Sequence, residues 1–363
     1  MNGDFLSVRN SAFRLFAIAL CFLAIMPTLA CGGGASQSAT STGSSQQLYG
    51  FGDSTFVGVG ASSPSMSWPS QVAAAKSWTL DNYGISGSWI ADQADAYFSV
   101  PAAKGDINLA ELSVNDMRGI GTDSAQQSAF AAEALSVLAY RAIPDSSKVF
   151  GSGAVLAGKW STPNFYGGAI CRDTADVGAS AAFTVDGSVI YVTGIMQIGN
   201  ASTWTLAVDG VSKGTFSTLS PLPWTGTYDR AYGPYGVRIA GLHSGRHSVT
   251  FTSATGTDAD NMAYFCWAGG NSGAGPAWPK VYQANTIRLT EAGYEDGGSD
   301  LAVSQFNALL KTLDTTLSWD GLNITYVDIS SSYAPGTMAS ADGVHPDDAG
   351  YTAIANAALA SMR

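Results

Sequence analysis

Leu48-Tyr49-Gly50-Phe51-Gly52-Asp53-Ser54 reads as a short apolar strand that runs into a glycine turn and a polar Asp-Ser pair. Two later stretches share this design. Trp78 to Tyr83 is a second strand, ending at Gly84-Ile85-Ser86-Gly87, and Ile107 to Leu112 is a third, ending at Ser113-Val114-Asn115-Asp116. A helix follows, with Asp123 as its cap, Phe130, Ala134, Leu135 and Leu138 as its apolar stripe, and Pro144 beyond its end.

The texture changes at about Phe150. From there to Gly270 helix signals vanish and short alternating runs appear, the clearest being Ala182–Val185, Val189–Val192, Trp204–Val208 and His247–Phe251, with Asp209-Gly210 as a hairpin-type turn. Strands and turns at this spacing predict a β-sandwich. Strand and helix alternate again near Lys280. Val281–Ile287 is a strand, Asp300–Leu317 an amphipathic helix, Ile324–Ile329 a strand and Tyr351–Met362 a closing helix, with Asp347 or Asp348 near its cap. The fold expected is α/β with a mostly parallel sheet, over 48–149 and 272–363, interrupted by an inserted β-sandwich domain at 150–271.

Charge and cysteines narrow the function classes. The chain has 363 residues and a net charge of −11, with only 17 Lys and Arg. That balance argues against nucleic acid or anionic lipid headgroups as partners. Arg9 and Arg14 precede an apolar run from Leu15 to Met26, too short to span a membrane and flanked like a secretory signal over residues 1–30. Thr28-Leu29-Ala30-Cys31 resembles a bacterial lipobox, with Thr28 where leucine is usual. Lipidation at Cys31 is the expectation and ordinary cleavage near Ala30 the alternative. Residues 31–47 then read as a Gly/Ser-rich tether. The protein is expected in the bacterial envelope, periplasmic or at the outer surface, touching the membrane only through the anchor, and otherwise secreted. Cys171 and Cys266 make a candidate disulfide in an oxidising compartment, with two buried thiols as the other reading.

Ligands of open α/β sheets gather at the carboxyl ends of the strands. Ser54, Gly87 and Asn115 all fall just after predicted strands, as does the loop Asp342-Gly343-Val344-His345-Pro346. His345 is the obvious base for a Ser54 nucleophile, and Asp342, three residues earlier, can fix its tautomer. The backbone N–H groups of Ser54 and Gly87 and the Asn115 amide are candidate oxyanion donors. Each has a plain structural reading too: a serine in a strand-to-helix turn, a loop glycine, an Asx turn. His243 and His247 lie four apart, but the glycines around them exclude a helical metal face, so a surface turn leading into a sandwich strand, with no catalytic metal, is the expectation.

Taken together and in order, these blocks resemble the SGNH (GDSL-type) hydrolase family. Gly52-Asp53-Ser54 is similar to its first block, with Trp68-Pro69 downstream, Gly84–Gly87 to its second, Asn115-Asp116 to its third, and Asp342–Pro346 to its fifth. The resemblance implies a three-layer α/β/α hydrolase with Ser54 as nucleophile, His345 as base, Asp342 as its orienter, an oxyanion hole of Ser54, Gly87 and Asn115, and no cofactor. One departure stands out: the family has glycine two positions before the asparagine, and this chain has Ser113.

The insert resembles the jelly-roll, carbohydrate-binding type of module, in Leu206–Gly210 and Gly241–Val249. Trp160, Trp204, Trp224 and Trp267 are candidates to stack on sugar rings, with core packing the competing reading for Trp204; Trp224, in a Pro-rich loop, is the better exposed candidate. The expected activity is hydrolysis of short-chain or acetyl esters through an acyl-enzyme, with acetylated carbohydrate as the first substrate class. Lipid esters or thioesters, or a catalytically weak sugar-binding protein, are the alternatives.

Overall fold

The computed structural model describes residues 45–163, 166, 170–199, 202–223, 231–255 and 262–362. The signal segment 1–30, Cys31, most of the tether and Trp224 lie outside the described residues. Residues from Ser45 onward form one compact unit.

Its centre is a five-stranded, all-parallel sheet in the order Ile324–Val327, Lys280–Ala284, Ile107–Glu111, Gln47–Phe51, Thr79–Asn82. The inner strands Gln47–Phe51, Ile107–Glu111 and Lys280–Ala284 are largely buried, as parallel strands covered on both faces must be, whereas the edge strand Thr79–Asn82 is mostly exposed. In chain order this is a 2-1-3-4-5 doubly wound sheet, whose connections reverse direction between Gln47–Phe51 and Ile107–Glu111. Gln47 pairs with Thr79, so the first strand starts one residue inside the stretch expected to be tether.

Helices Trp68–Lys76 and Asp348–Ser361 pack together, and Ile90–Ser99, Ser124–Ala142 and Asp300–Trp319 form a second group. Asp123, Ser299 and Asp347 cap three of these helices with their side chains, accepting the N–H groups that the first turn leaves unpaired. The apolar core runs through Phe51, Phe56, Trp68, Leu109, Phe130 and Phe306.

The chain from Lys148 to Gly270 builds antiparallel sheets. One has five strands: Val211–Ser217, Thr203–Val208, Arg246–Thr255, Ser180–Asp186 and Val155–Ala157. Another has four: Tyr232–Ile239, Ile190–Gln197, Trp267–Gly270 and Lys148–Phe150. Asp209 and Gly210 make the tight hairpin between Thr203–Val208 and Val211–Ser217, both with positive φ. Phe183, Val192, Trp204, Leu206, Val249 and Phe251 fill the space between the sheets. Trp204 stacks on Phe251 at 4.6 Å and is wholly buried, so core packing is its role. Trp267 is equally buried, and half-buried Trp160 donates its indole N–H to Ala157 O at 3.0 Å.

Lys148–Phe150 pairs with Trp267–Gly270, so the segment leaves and returns at one place. Strand Tyr232–Ile239 lies against helix Ser124–Ala142, where a Cβ on Gly236 would come within 2.8 Å of the Ser136 amide nitrogen. Asp320 receives the Arg238 guanidinium and, at 2.6 Å, the Tyr191 hydroxyl. Cys171 and Cys266 are joined as a disulfide. No helix among the described residues is long and apolar enough to cross a membrane.

Candidate active site

Three loops at the carboxyl ends of the strands carry the candidate residues. Strand Gln47–Phe51 ends at Gly52, where a Cβ would sit 2.3 Å from that of Phe56; only glycine lets the chain fold back so tightly. Asp53 then caps the short helix Ser54–Val57, accepting the Thr55 N–H at 2.9 Å, and leaves Ser54 as its first residue. The 340–346 loop is pinned across from it. Ser340 N–H donates to His345 O at 2.7 Å, and Thr290 N–H donates to Gly343 O at 3.0 Å. The following helix is tied back to the Ser54 side of the site, with Tyr351 Oη on Val59 O at 2.6 Å and Ser62 N–H on Asp348 at 2.8 Å.

These anchors bring Ser54, His345 and Asp342 into one hydrogen-bonded line. His345 Nε2 is 2.8 Å from Ser54 Oγ, and His345 Nδ1 is 2.6 Å from Asp342 Oδ2. The geometry matches a neutral imidazole that donates from Nδ1 and accepts the serine proton at Nε2. Asp342 Oδ1 also accepts from Ser340 Oγ and from the N–H groups of Val344 and His345, at 2.8–3.0 Å. Partial burial alone would raise the Asp342 pKa. The His345 ring, these two amides and the Ser340 hydroxyl outweigh it and hold the carboxyl well below its usual range.

Asn115 links the other two loops. Its amide donates to Ser88 O at 3.0 Å and reaches Asp53 Oδ2 at 3.5 Å. Ser88 follows Gly87, whose φ of +76° suits glycine. Asn115 therefore bridges the residue after Gly87 and the residue before Ser54, and all three candidate donors belong to one connected rim.

Buried carboxyls underlie this rim: Asp53 and Asp116 from the motif blocks, and Glu111, which belongs to none of them. Glu111, at the end of its strand, is completely buried and accepts the Trp68 indole N–H at 3.1 Å. Burial, with the Asp53 charge nearby, pushes its pKa well above the usual range; the Trp68 bond offsets this only in part. Burial pushes Asp53 up to about 6, against the lowering effects of the Thr55 N–H, His345 and Asn115. Asp116 is also buried, accepts the Ile90 N–H at 3.3 Å, and is raised by burial. The available signal was an acid inside an apolar strand, Ile107-Asn-Leu-Ala-Glu111.

A groove of about 640 Å³ is lined by Arg288, Leu289, Ser330, Tyr333 and Thr337. Its Leu289 precedes Thr290, the partner of Gly343.

The turn with exposed His243 leads into a strand at His247 as expected, but His247 itself is not at the surface. It is buried at the start of strand Arg246–Thr255. Its Nδ1 meets Asp209 Oδ2 at 2.6 Å, and its Nε2 meets His243 O at 2.8 Å and Gly187 O at 3.0 Å. Asp209, His243 and His247 lie close enough to hold an ion. With acceptors at both ring nitrogens, however, His247 has the surroundings of an imidazolium with no lone pair to give a metal.

The sequence matches no family model and no curated protein. Among solved structures, it is similar to a two-domain esterase (CEX) active on acetylated mannans, co-crystallized with mannopentaose, at 14% identity and a TM-score of 0.35, over 62% of this chain and 90% of that one. A CBM36 carbohydrate-binding module in complex with calcium and xylotriose overlaps 33% of this chain and 96% of its own, at 15% identity and a TM-score of 0.25. A family 35 carbohydrate-binding module from Clostridium thermocellum overlaps 34% of this chain and 95% of its own, at 17% identity and a TM-score of 0.26. These overlaps are too loose to assign the chain a family.

Proposed function

We propose that the protein is a serine ester hydrolase of SGNH type. The observation that carries the reading is the line from Asp342 through His345 to Ser54. Ser54 Oγ attacks the ester carbonyl carbon as His345 Nε2 takes its proton. The carbonyl oxygen becomes an oxyanion facing the Ser54 and Gly87 N–H groups and the Asn115 amide. His345 then protonates the departing alcohol. Water attacks the acyl-enzyme by the same route in reverse, releasing the acid and restoring Ser54. Asp342 stays ionised throughout and stabilises the imidazolium. In this reading the parallel sheet with its helices is the three-layer hydrolase domain, and residues 150–271 are an inserted sandwich.

The substrate class we favour is an O-acetylated carbohydrate. The antiparallel β-sheets on the same unit support it. Hydrolysis of 4-nitrophenyl acetate by the wild type and Ser54→Ala tests the chemistry. The wild type should turn over, and Ser54→Ala should fall by at least about 10³-fold. Equal rates in both would sink the role of Ser54. Acetate release from acetylated mannan and acetylated xylan, beside longer-chain esters, tests the class; preference for long acyl chains would overturn it. We further propose export by residues 1–30 and lipid attachment at Cys31. Cys31→Ser should move the protein from the membrane to the soluble fraction, and retention there would refute the anchor.

A further inference from the structure

Ser113 occupies the position where the family resemblance implies glycine, and its backbone is what a glycine would adopt: φ +96°, ψ −1°. A side chain is strained in this left-handed region, so something must hold it there. Ser113 precedes helix Val114–Ile120, whose second residue is Asn115, and it makes no side-chain cap to that helix. Its hydroxyl turns the other way and hydrogen-bonds the Thr286 hydroxyl. Thr286 Oγ1 in turn donates to Leu112 O at 3.3 Å, which leaves Ser113 as the donor of the pair. Asn307, on helix Asp300–Trp319, grips the Thr286 backbone from both sides, accepting its N–H and donating to its C=O at 2.9 Å each. Ser113 and Thr286 are both fully buried, so water cannot replace either partner.

We propose that Ser113 and Thr286 form a hydroxyl latch that stands in for the missing glycine and sets the position of Asn115 in the oxyanion hole. The proposal rests on the esterase reading above. Ser113 and Thr286 are positioning residues: they act through the turn that starts the Asn115 helix and do not touch the substrate. The chemistry of the latch is a trade. Glycine would adopt this turn with no partner, whereas serine needs Thr286 to stay in it.

That trade is testable in the full chain. kcat and KM for 4-nitrophenyl acetate would be measured on Ser113→Ala, Ser113→Gly, Thr286→Val, Thr286→Ser and the Ser113→Gly/Thr286→Val double variant. Competent sites would be counted by labelling with a serine-reactive fluorophosphonate, which separates slow turnover from misfolding. Ser113→Ala and Thr286→Val should lower kcat per labelled site by about tenfold to 10²-fold, with KM within about twofold. Ser113→Gly and Thr286→Ser should restore kcat to within about threefold of wild type. In the Ser113→Gly background, Thr286→Val should have almost no further effect, the non-additivity a latch requires. Wild-type kcat per site in Ser113→Ala or Thr286→Val would overturn the proposal. So would a Ser113→Gly variant as slow as Ser113→Ala. Absence of labelling in the wild type, with Ser54→Ala as active as wild type, would instead sink the esterase reading on which the latch depends.

Discussion

His345 Nε2 lies 2.8 Å from Ser54 Oγ, although the two residues are 291 apart in the chain. Neither loop holds this contact alone. Ser54 is set by the Gly52 turn and the Asp53 cap, His345 by the bonds of Asp342, Ser340 and Thr290.

Asp342→Asn should lower kcat for ester hydrolysis by about 10⁴-fold, because an amide cannot stabilise the imidazolium and permits the wrong ring tautomer. Thermal stability should change far less. Steady-state kinetics beside a melting curve would show this, and near-wild-type kcat would exclude the orienting role.

Burial holds the Glu111 pKa well above its ordinary value, which favours the neutral carboxyl, and glutamine is its close neutral replacement. Glu111→Gln should leave kcat at pH 7 unchanged. Because the folded-state pKa is raised, the stability contribution of Glu111 is full below the ordinary value of 4.5 and is lost as pH rises through the folded value. Wild-type stability should therefore fall on the alkaline side more steeply than that of Glu111→Gln. Urea titrations of both proteins from pH 5 to pH 9 would measure the difference, and parallel curves would contradict it.

Asp314 offers a similar test far from the rim. It is 2% exposed, neither oxygen has a partner among the described residues, and burial pushes it up to about 8. The unfolded chain releases this proton near pH 4 and the folded chain holds it, so stability drains away between about pH 4 and pH 8. Asp314→Asn should raise Tm at pH 8 and leave it nearly unchanged at pH 4. An equal shift at both values would mean that ionisation is not the cause.

The Cys171–Cys266 bridge closes a loop across 95 positions. Removing it frees that loop in the unfolded state and should cost about 2–5 kcal/mol of stability. The Cys171→Ser/Cys266→Ser pair should melt earlier while retaining wild-type kcat below its transition, since neither cysteine belongs to the strand ends that carry Ser54, Asp342 and His345. Calorimetry with and without reductant would check the stability change.

Some of this architecture is written locally and some is not. Strand Gln47–Phe51 and helix Ser124–Ala142 were legible because their apolar patterns and their Gly and Asp boundaries lie within a few residues. Helix Ile90–Ser99 was not: its buried face includes Asp92 and Gln93, and the Trp89 N–H at its start is satisfied by Asp92, three residues into the pattern. The proximity of Ser54, His345 and Asp342 followed from the rule that strand ends share a rim. The burial of His247 did not, because Asp209, its carboxylate, comes from a hairpin 38 residues away. Ser113 shows a further kind of limit: its composition says turn, and only Thr286, contributed by another part of the fold, explains how serine tolerates a glycine's dihedral.

The packing of strand Tyr232–Ile239 on helix Ser124–Ala142 carries one more consequence. Val137, Tyr140, Ile195, Tyr264 and Trp267 belong to a single continuous apolar core. Although Lys148–Phe150 and Trp267–Gly270 lie side by side and invite a short splice, the excised protein would present a wet, greasy helix face. The antiparallel sheets thus roof this helix and close the core beneath it.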